Sequence, residues 1–436
     1  MRFALPAYLT LAHLDLSALS HSAATHLGIE NTIKLLGLPA LLLLRMRKTP
    51  MNSCRWTTTF WILLTIYAGV AALWSPFFLP ACKALGYLVG YALLFCLFWR
   101  AWNAGHLTPN GLLAALWIAL ILAMVQTYLT PGVLRNTEGR FTSFISPQSF
   151  AGFLLAFFIW LLFAQCRIRR RWIHLCAIIV GIFLSGSRYA SLAAGIGALL
   201  AALMWLFRLS RVRGLSARVR GGIFALLAVA MLFQAYIARF PNNRFATIFG
   251  PDPYGRKVWE RTGTWVWRLS IYREAAAALA TRELRHQIFG LGTGSSISFL
   301  LTYNPRVPLE RIDANRIMHN EFLRAAYEWG LIGVSLVVGL SAALTLELFL
   351  CAIRGGGDAW AGIAILPGIF LALSVENILS ASSTAGGVAY AMLLAYAFSG
   401  SGSLQRRLPV TQRRVSGFGY VPRHRLLPGG TRAFAN

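Results

Sequence analysis

Long apolar runs separated by short polar segments dominate the pattern of residues along the chain. A run of about 20 apolar residues is long enough to cross a bilayer as a helix. Two weaker runs come first, near 4–19 and 31–45, and His13 and Asp15 interrupt the earlier one. Ten stronger runs follow, near 58–79, 82–100, 111–130, 147–166, 171–186, 188–208, 220–239, 329–352, 359–376 and 380–398. The pattern predicts an all-α polytopic membrane protein with about twelve transmembrane helices.

The composition agrees with this prediction. Of the 436 residues, 57% are hydrophobic and only 13% are charged, and the mean hydropathy is +0.60. Soluble domains carry about 25% charged residues, and disordered chains carry few large apolar ones. The composition therefore excludes both a soluble globular enzyme and a disordered chain.

The basic residues indicate how the chain is oriented. Lys and Arg total 41 against 14 Asp and Glu, for a net charge of +27. Such an excess can indicate nucleic-acid binding, but the basic clusters at 45–48, 167–171 and 211–213 lie between apolar runs, as in cytoplasmic loops. With both termini in the cytoplasm, 23 basic residues fall inside and five in the short outer connections. We therefore expect a phospholipid bilayer as partner and no nucleic acid.

This orientation divides the chain into four parts. We expect nine transmembrane helices in 1–238, a loop domain outside the cytoplasm in 239–328, three more transmembrane helices in 329–399 and a basic cytoplasmic tail in 400–436. The loop domain contains eight of the fourteen acidic residues. Its pattern predicts a helix over 264–285, closed by a turn at Gly290–Gly292, and a second helix from about 319 into the tenth span.

Metal ligands and covalent nucleophiles do not occur at the spacings that those sites require. The six cysteines include no C-x-x-C pair, and the chain has no Asp-x-Asp, His-Glu-x-x-His or Gly-x-Ser-x-Gly motif. We predict no metal site, no cofactor and no disulfide framework. Acids within the apolar runs are limited to Asp15, Glu347 and Glu376, which disfavours a proton-coupled transporter.

Arg188 is the first candidate for binding chemistry. It ends Ser185-Gly186-Ser187-Arg188 between two predicted spans and so lies near the outer boundary of the membrane. One interpretation is an arginine whose side chain extends to lipid headgroups. The other is a site that holds an anion, because an arginine on the outer side opposes the positive-inside trend.

His319 is the second candidate. On a helix it shares a face with Phe322, Leu323 and Ala326, which would pack on the membrane helices. A neutral imidazole at this boundary can accept a proton from a hydroxyl group. The alternative is a packed, hydrogen-bonded histidine, with Asn320 as the helix cap.

The third candidate is the predicted loop helix, which carries Arg268, Tyr272 and Arg273. Arg268 and Tyr272 share one face, and Arg273 points almost to the opposite side. The pattern slightly favours Arg273, because it falls in an apolar stripe of Val266, Leu269, Ala276, Ala277 and Ala280. A solvated helix face is equally compatible with the residues.

The fourth candidate is the glycine-rich segment Phe289-Gly290-Leu291-Gly292-Thr293-Gly294. Glycines allow backbone N–H groups to approach phosphate oxygens. No Lys-Ser or Lys-Thr follows, and ATP is not expected outside the cytoplasm, so the pattern favours a structural turn.

The order of these elements resembles the O-antigen ligase and polymerase superfamily. The resemblance is carried by Gly139-Arg140-Phe141 with Pro147-Gln148, by Ser185-Gly186-Ser187-Arg188, by Arg268-x-x-x-Tyr272 with the glycine segment, and by His319-Asn320-Glu321-Phe322-Leu323 with Gly330-Leu-Ile-Gly333. Together they cover roughly residues 139–335. Tyr272 replaces the family's usual Trp, and Gln148 replaces its commoner Asn.

The resemblance implies a GT-C-like helical glycosyltransferase in the bacterial inner membrane, with its active site facing the periplasm. It implies transfer of a glycan from undecaprenyl pyrophosphate to lipid A–core, without a metal and with inversion at the anomeric carbon. His319 would act as the base, and Arg188 and Arg268 would neutralise the pyrophosphate. Arg140, Tyr272, Arg273 and Asn320 are the expected substrate-binding residues, and the family motif selects Arg268 over Arg273.

Two alternatives remain beside a ligase. An O-antigen polymerase or a protein O-oligosaccharyltransferase would share the motifs and use another acceptor. A transporter of the same lipid-linked glycan would need a continuous polar pathway through the membrane, and the predicted spans carry few charges.

Overall fold

The computed structural model describes residues 3–13, 33–46, 54–129, 141–145, 147–164, 168–209, 264–303, 320–354, 358–375 and 384–399. Every regular element in these ranges is helical. The predicted ninth span, 220–239, and the tail, 400–436, lie outside the described residues.

The described residues before the long loop contain eight α-helices. They are α1 (Ala4–Leu11), α2 (Leu38–Leu44, after a π-helical turn at Ile33–Gly37), α3 (Arg55–Ala71), α4 (Phe78–Asn103), α5 (Pro109–Met124, continued as a π-helix over Val125–Leu129), α6 (Pro147–Phe163), α7 (Arg171–Leu184) and α8 (Arg188–Leu209). The start of α5 shows why such boundaries form: Pro109 occupies the first helical position, and the Thr108 side chain accepts a hydrogen bond from the Gly111 N–H.

Six helices follow. They are α9 (Thr264–Ala280), α10 (Leu284–Phe289), α11 (Ser296–Tyr303), α12 (Glu321–Ile353), α13 (Ala359–Val375) and α14 (Thr384–Ser399). The long α12 confirms the predicted helix that enters the tenth span.

Among the described residues, four helical segments are long and apolar enough to cross a membrane: Arg55–Trp74, Phe78–Asn103, Pro109–Leu129 and Glu321–Ile353. Six shorter apolar helices accompany them, including Arg171–Leu184 and Arg188–Met204. These apolar helices indicate a multi-pass membrane protein whose described residues form only helices as regular structure.

The last helix, α14, lies at the centre of the bundle between α4 and α6. Helix α6 is apolar on all sides and buries Phe150, Phe153, Phe157 and Trp160. A helix of this kind belongs inside a bundle. Glycines let α6 and α14 approach closely, since a Cβ atom on Gly152 would lie 3.4 Å from the Gly386 Cα atom.

The prediction of one helix over 264–285 is wrong. Helix α9 ends at Ala280, and α10 begins only at Leu284. At the break, the Arg282 guanidinium lies 4.0 Å from the centre of the Tyr327 ring, and the Gln287 amide donates to the Arg282 carbonyl at 2.9 Å. These contacts with α12 and α10 outweigh the helical preference of the local sequence.

Candidate functional site

The turn before α8 positions Arg188. The Ser185 hydroxyl donates to the Ile182 carbonyl at 2.6 Å, and the Ser187 N–H donates back to the Ser185 hydroxyl at 3.3 Å. Gly186 adopts a positive φ of 62°, which a residue with a side chain rarely accepts. This tight turn makes half-buried Arg188 the first residue of α8.

A second segment of the site runs beside this turn. The Phe141 N–H donates to the Leu184 carbonyl at 3.2 Å, which joins segment 141–145 to the end of α7. Buried Ser143 is 2.8 Å from Nδ1 of buried His13, so α1 also holds this segment in place. The predicted ligand Arg140 precedes Phe141 but lies outside the described residues.

The loop helix α9 brings a second arginine to Arg188. Arg268 is half-buried, and its positive charge acts on Arg188 electrostatically. Arg273 is exposed, as expected for a residue five positions further and therefore about 140° around the helix. Arg268 is therefore near enough to Arg188 for the two charges to repel each other, and the role of either arginine in binding substrate stays a prediction.

The apolar stripe predicted for this helix is wrong. Ala276, Ala277 and Ala280 are exposed, whereas the buried side is formed by Ile271 and Ala275. These two residues pack with Ile297, Phe299 and Tyr327. Alanine is neither strongly apolar nor polar, so a run of four alanines does not reveal which side of the helix is buried.

Tyr272 connects α9 to the membrane helices. Its hydroxyl donates to the Ser374 carbonyl near the end of α13, at 3.0 Å. Tyr272 therefore helps to hold the helix that carries Arg268. Its role in binding substrate stays a prediction.

Asn320 is the N-cap of α12. Its side-chain oxygen accepts a hydrogen bond from the Leu323 N–H at 3.0 Å, which satisfies one of the donors at the start of the helix. The predicted base, His319, lies outside the described residues. Its role stays a prediction.

A buried ion cluster in the first turns of α12 was not predicted. Arg324 donates from Nε to Glu321 at 2.7 Å and from a terminal nitrogen to Glu328 at 3.2 Å, and all three side chains are buried. The Ser296 hydroxyl also donates to Glu328, at 2.6 Å. The sequence spacing Glu-x-x-Arg-x-x-x-Glu could have indicated this cluster, because residues three and four apart meet on one face of a helix.

The glycine segment is a structural turn, as the sequence favoured. The N–H groups of Leu291, Gly292 and Thr293 donate to the carbonyls of Tyr327, Glu328 and Ala71. Backbone donors engaged in this way are not available to a phosphate group. The turn instead joins α10 to α12 and to the end of α3.

Two half-buried guanidinium groups that repel each other favour a ligand with at least two negative charges, because each charge of the ligand screens the repulsion between the arginines. Arginine also offers paired donors that match phosphate oxygens. The arrangement can therefore bind a diphosphate group at the end of the membrane helices.

Comparison with known protein families finds a match over part of the chain. Residues 175–338 match a family model described as O-Antigen ligase. The matched segment contains Arg188, Arg268, the glycine turn, His319 and Asn320. No curated protein matches the chain.

Proposed function

Because residues 175–338 match a family model described as O-Antigen ligase, we propose that the protein is an O-antigen ligase of the bacterial inner membrane. It transfers O-antigen polysaccharide from undecaprenyl pyrophosphate to lipid A–core on the periplasmic side. The observation that carries the proposal is the electrostatic interaction between Arg188, at the start of α8, and Arg268, on the loop helix.

The two arginines supply the positive charge that this reaction needs. When the bond between the anomeric carbon and the pyrophosphate oxygen breaks, its electron pair goes to the pyrophosphate. Donors already in place at that oxygen stabilise the transition state without reorganising. A metal ion is then not needed to stabilise the leaving group.

His319 is the proposed base. It takes the proton from the attacking acceptor hydroxyl as the new glycosidic bond forms. One direct displacement inverts the anomeric carbon and leaves no covalent intermediate on the protein.

The remaining proposed substrate contacts use different chemical groups: an amide, a hydroxyl and two guanidinium groups. The Asn320 side-chain oxygen caps α12, so its contact with substrate comes from the amide NH₂ group. The Tyr272 hydroxyl gives its proton to Ser374, so it meets a sugar hydroxyl as an acceptor. Arg140 contacts the lipid-linked glycan donor. Arg273 is exposed, so it contacts only a ligand that lies on the solvent-facing side of α9.

A reconstituted transfer reaction tests the proposal. Purified full-length protein receives polymerised undecaprenyl-pyrophosphate glycan and lipid A–core in the presence of EDTA, and a gel shows which lipid carries the sugar ladder. We expect the ladder on lipid A–core with the wild type. Arg188→Gln and Arg268→Gln each slow the transfer about 10²- to 10³-fold, the usual cost of losing one transition-state donor.

The matched control is Arg285→Gln, because Arg285 is exposed on α10 and pairs only with exposed Glu283 among the described residues. Its rate stays within about twofold of the wild type. Lengthening of the lipid-linked glycan with an unmodified core would instead identify a polymerase. Equal rates in all three arginine variants would remove the pyrophosphate site from the proposal.

A further inference from the structure

A cavity lies at the opposite end of α7 from Arg188. Its volume is about 460 Å³, and it opens between the starts of α5 and α7. The fourteen residues of α7 separate it from the Arg188 turn by about 21 Å. The cavity is therefore distinct from the proposed transfer site, and the inference below does not depend on that proposal.

Positively charged and hydrogen-bonding groups line one side of the cavity. They are Arg169, Arg170, His174 and Asn110, and none of the described lining residues is acidic. Arg170 holds its backbone in the left-handed region, with φ of 53°. The surrounding chain imposes this conformation, since residues with a side chain rarely adopt it.

His174 presents a hydrogen-bond donor. The Trp117 indole N–H donates to Nδ1 of His174 at 3.0 Å. Because Nδ1 accepts this bond, the ring proton is on Nε2. The neighbouring Arg171 is engaged differently, since it donates to the Ala164 carbonyl at 2.8 Å.

Apolar and aromatic surface adjoins this polar side. Leu113 and Ile173 line the cavity itself. Further along the same two helices, Ile121 and Val180 are exposed on the outside of the bundle. Trp172, 67% exposed, lies at the start of α7, as tryptophans do at the boundary between lipid headgroups and acyl chains.

We propose that this cavity binds the phosphodiester headgroup of an anionic phospholipid. Arg169 and Arg170 pair with the phosphate, and His174 and Asn110 bond the polar headgroup. The acyl chains lie along the exposed apolar surfaces of α5 and α7. A lipid, and not a soluble anion, fits because the cavity opens beside those apolar surfaces, and an anionic headgroup fits because the lining carries two positive charges.

Native mass spectrometry of the purified full-length protein tests the proposal. Phosphatidylglycerol and phosphatidylcholine with identical acyl chains are titrated against the wild type and against Arg169→Gln/Arg170→Gln. We expect the wild type to retain phosphatidylglycerol in preference to phosphatidylcholine. The double variant binds phosphatidylglycerol about tenfold or more weakly, and its elution profile and helical content match those of the wild type.

The control variant is Arg45→Gln/Arg354→Gln, which removes the same charge at two exposed helix ends outside the cavity. Its affinity for phosphatidylglycerol stays within about twofold of the wild type. His174→Ala, which keeps both arginines, weakens binding by a smaller factor.

Three results would overturn the assignment. Equal losses in the two double variants would make binding a property of net charge and not of the cavity. Equal retention of both lipids by the wild type would remove the preference for an anionic headgroup. Displacement of phosphatidylglycerol by millimolar inorganic phosphate would identify a site for a soluble anion.

Discussion

At the scale of single residues, arginines with the same chemistry have different roles because their surroundings differ. Arg324 is buried between two glutamates, whereas Arg188 and Arg268 are half-buried and repel each other electrostatically. Arg285 is exposed with one exposed partner. Only the neighbours of each guanidinium decide whether it stabilises the fold or is suited to bind a ligand.

We predict that Arg324→Met destabilises the protein by about 3–5 kcal/mol, because it leaves Glu321 and Glu328 buried without their cation. Arg285→Gln removes an exposed pair and costs at most about 1 kcal/mol. Thermal unfolding of both variants in the same detergent measures the difference. Similar midpoints for the two variants would show that the buried cluster does not hold α12 in place.

At the scale of elements, the contact between the glycine turn and the kink in α12 sets how the loop helices meet the membrane helices. Gly330 interrupts α12 with φ of 63°, and Gly290 has φ of 76°. A Cβ atom on Gly330 would lie 2.4 Å from the Ile288 carbonyl oxygen, and one on Gly290 would lie 2.3 Å from that of Glu328. Backbone therefore packs directly on backbone at this point.

We predict that Gly330→Ala and Gly290→Ala each destabilise the protein by about 2 kcal/mol or more. The left-handed conformation alone costs a residue with a side chain about 1–2 kcal/mol, and the overlap with backbone adds to it. Gly195→Ala in α8 is the control, because a Cβ atom there has no neighbour within 4 Å. It leaves the protein unchanged or more stable by up to about 1 kcal/mol. Equal unfolding midpoints for Gly330→Ala, Gly290→Ala and the control Gly195→Ala would contradict the assigned geometry.

At the scale of the whole molecule, residues outside the matched segment hold the site together. The Thr293 hydroxyl donates to the Ala68 carbonyl in α3 at 2.5 Å, and Tyr272 reaches Ser374 in α13. Phe141, which precedes the matched segment, donates from its N–H to the Leu184 carbonyl at the end of α7. The segment 175–338 therefore depends on helices that precede and follow it.

We predict that α9 faces the periplasm. In a background without native cysteines, Glu274→Cys on exposed α9 reacts with a membrane-impermeant maleimide in intact spheroplasts, whereas Arg45→Cys reacts only after lysis. Both positions are exposed in the folded protein, so a difference in labelling between them reports the side of the membrane and not burial. The reverse labelling pattern would invert the proposed topology, and labelling of both before lysis would show that the spheroplasts leak.

The sequence alone determined the class of this protein. Apolar runs long enough for a bilayer predicted an all-helical membrane protein, and the order of short motifs from Gly139 to Gly333 indicated the family that the match over 175–338 supports. Both inferences are possible because helix length, hydropathy and motif order are properties of the linear chain.

Only the tertiary structure decided which residues meet. It placed Arg268 within electrostatic reach of Arg188, left Arg273 exposed, broke the helix at Arg282 and joined Arg324 to two glutamates. The alanines of α9 show why the sequence did not suffice: Ala275 is buried and Ala276 is exposed, although their side chains are identical. Where neighbouring residues differ so little in hydropathy, contacts with distant helices choose the buried side, and those contacts exist only in the folded molecule.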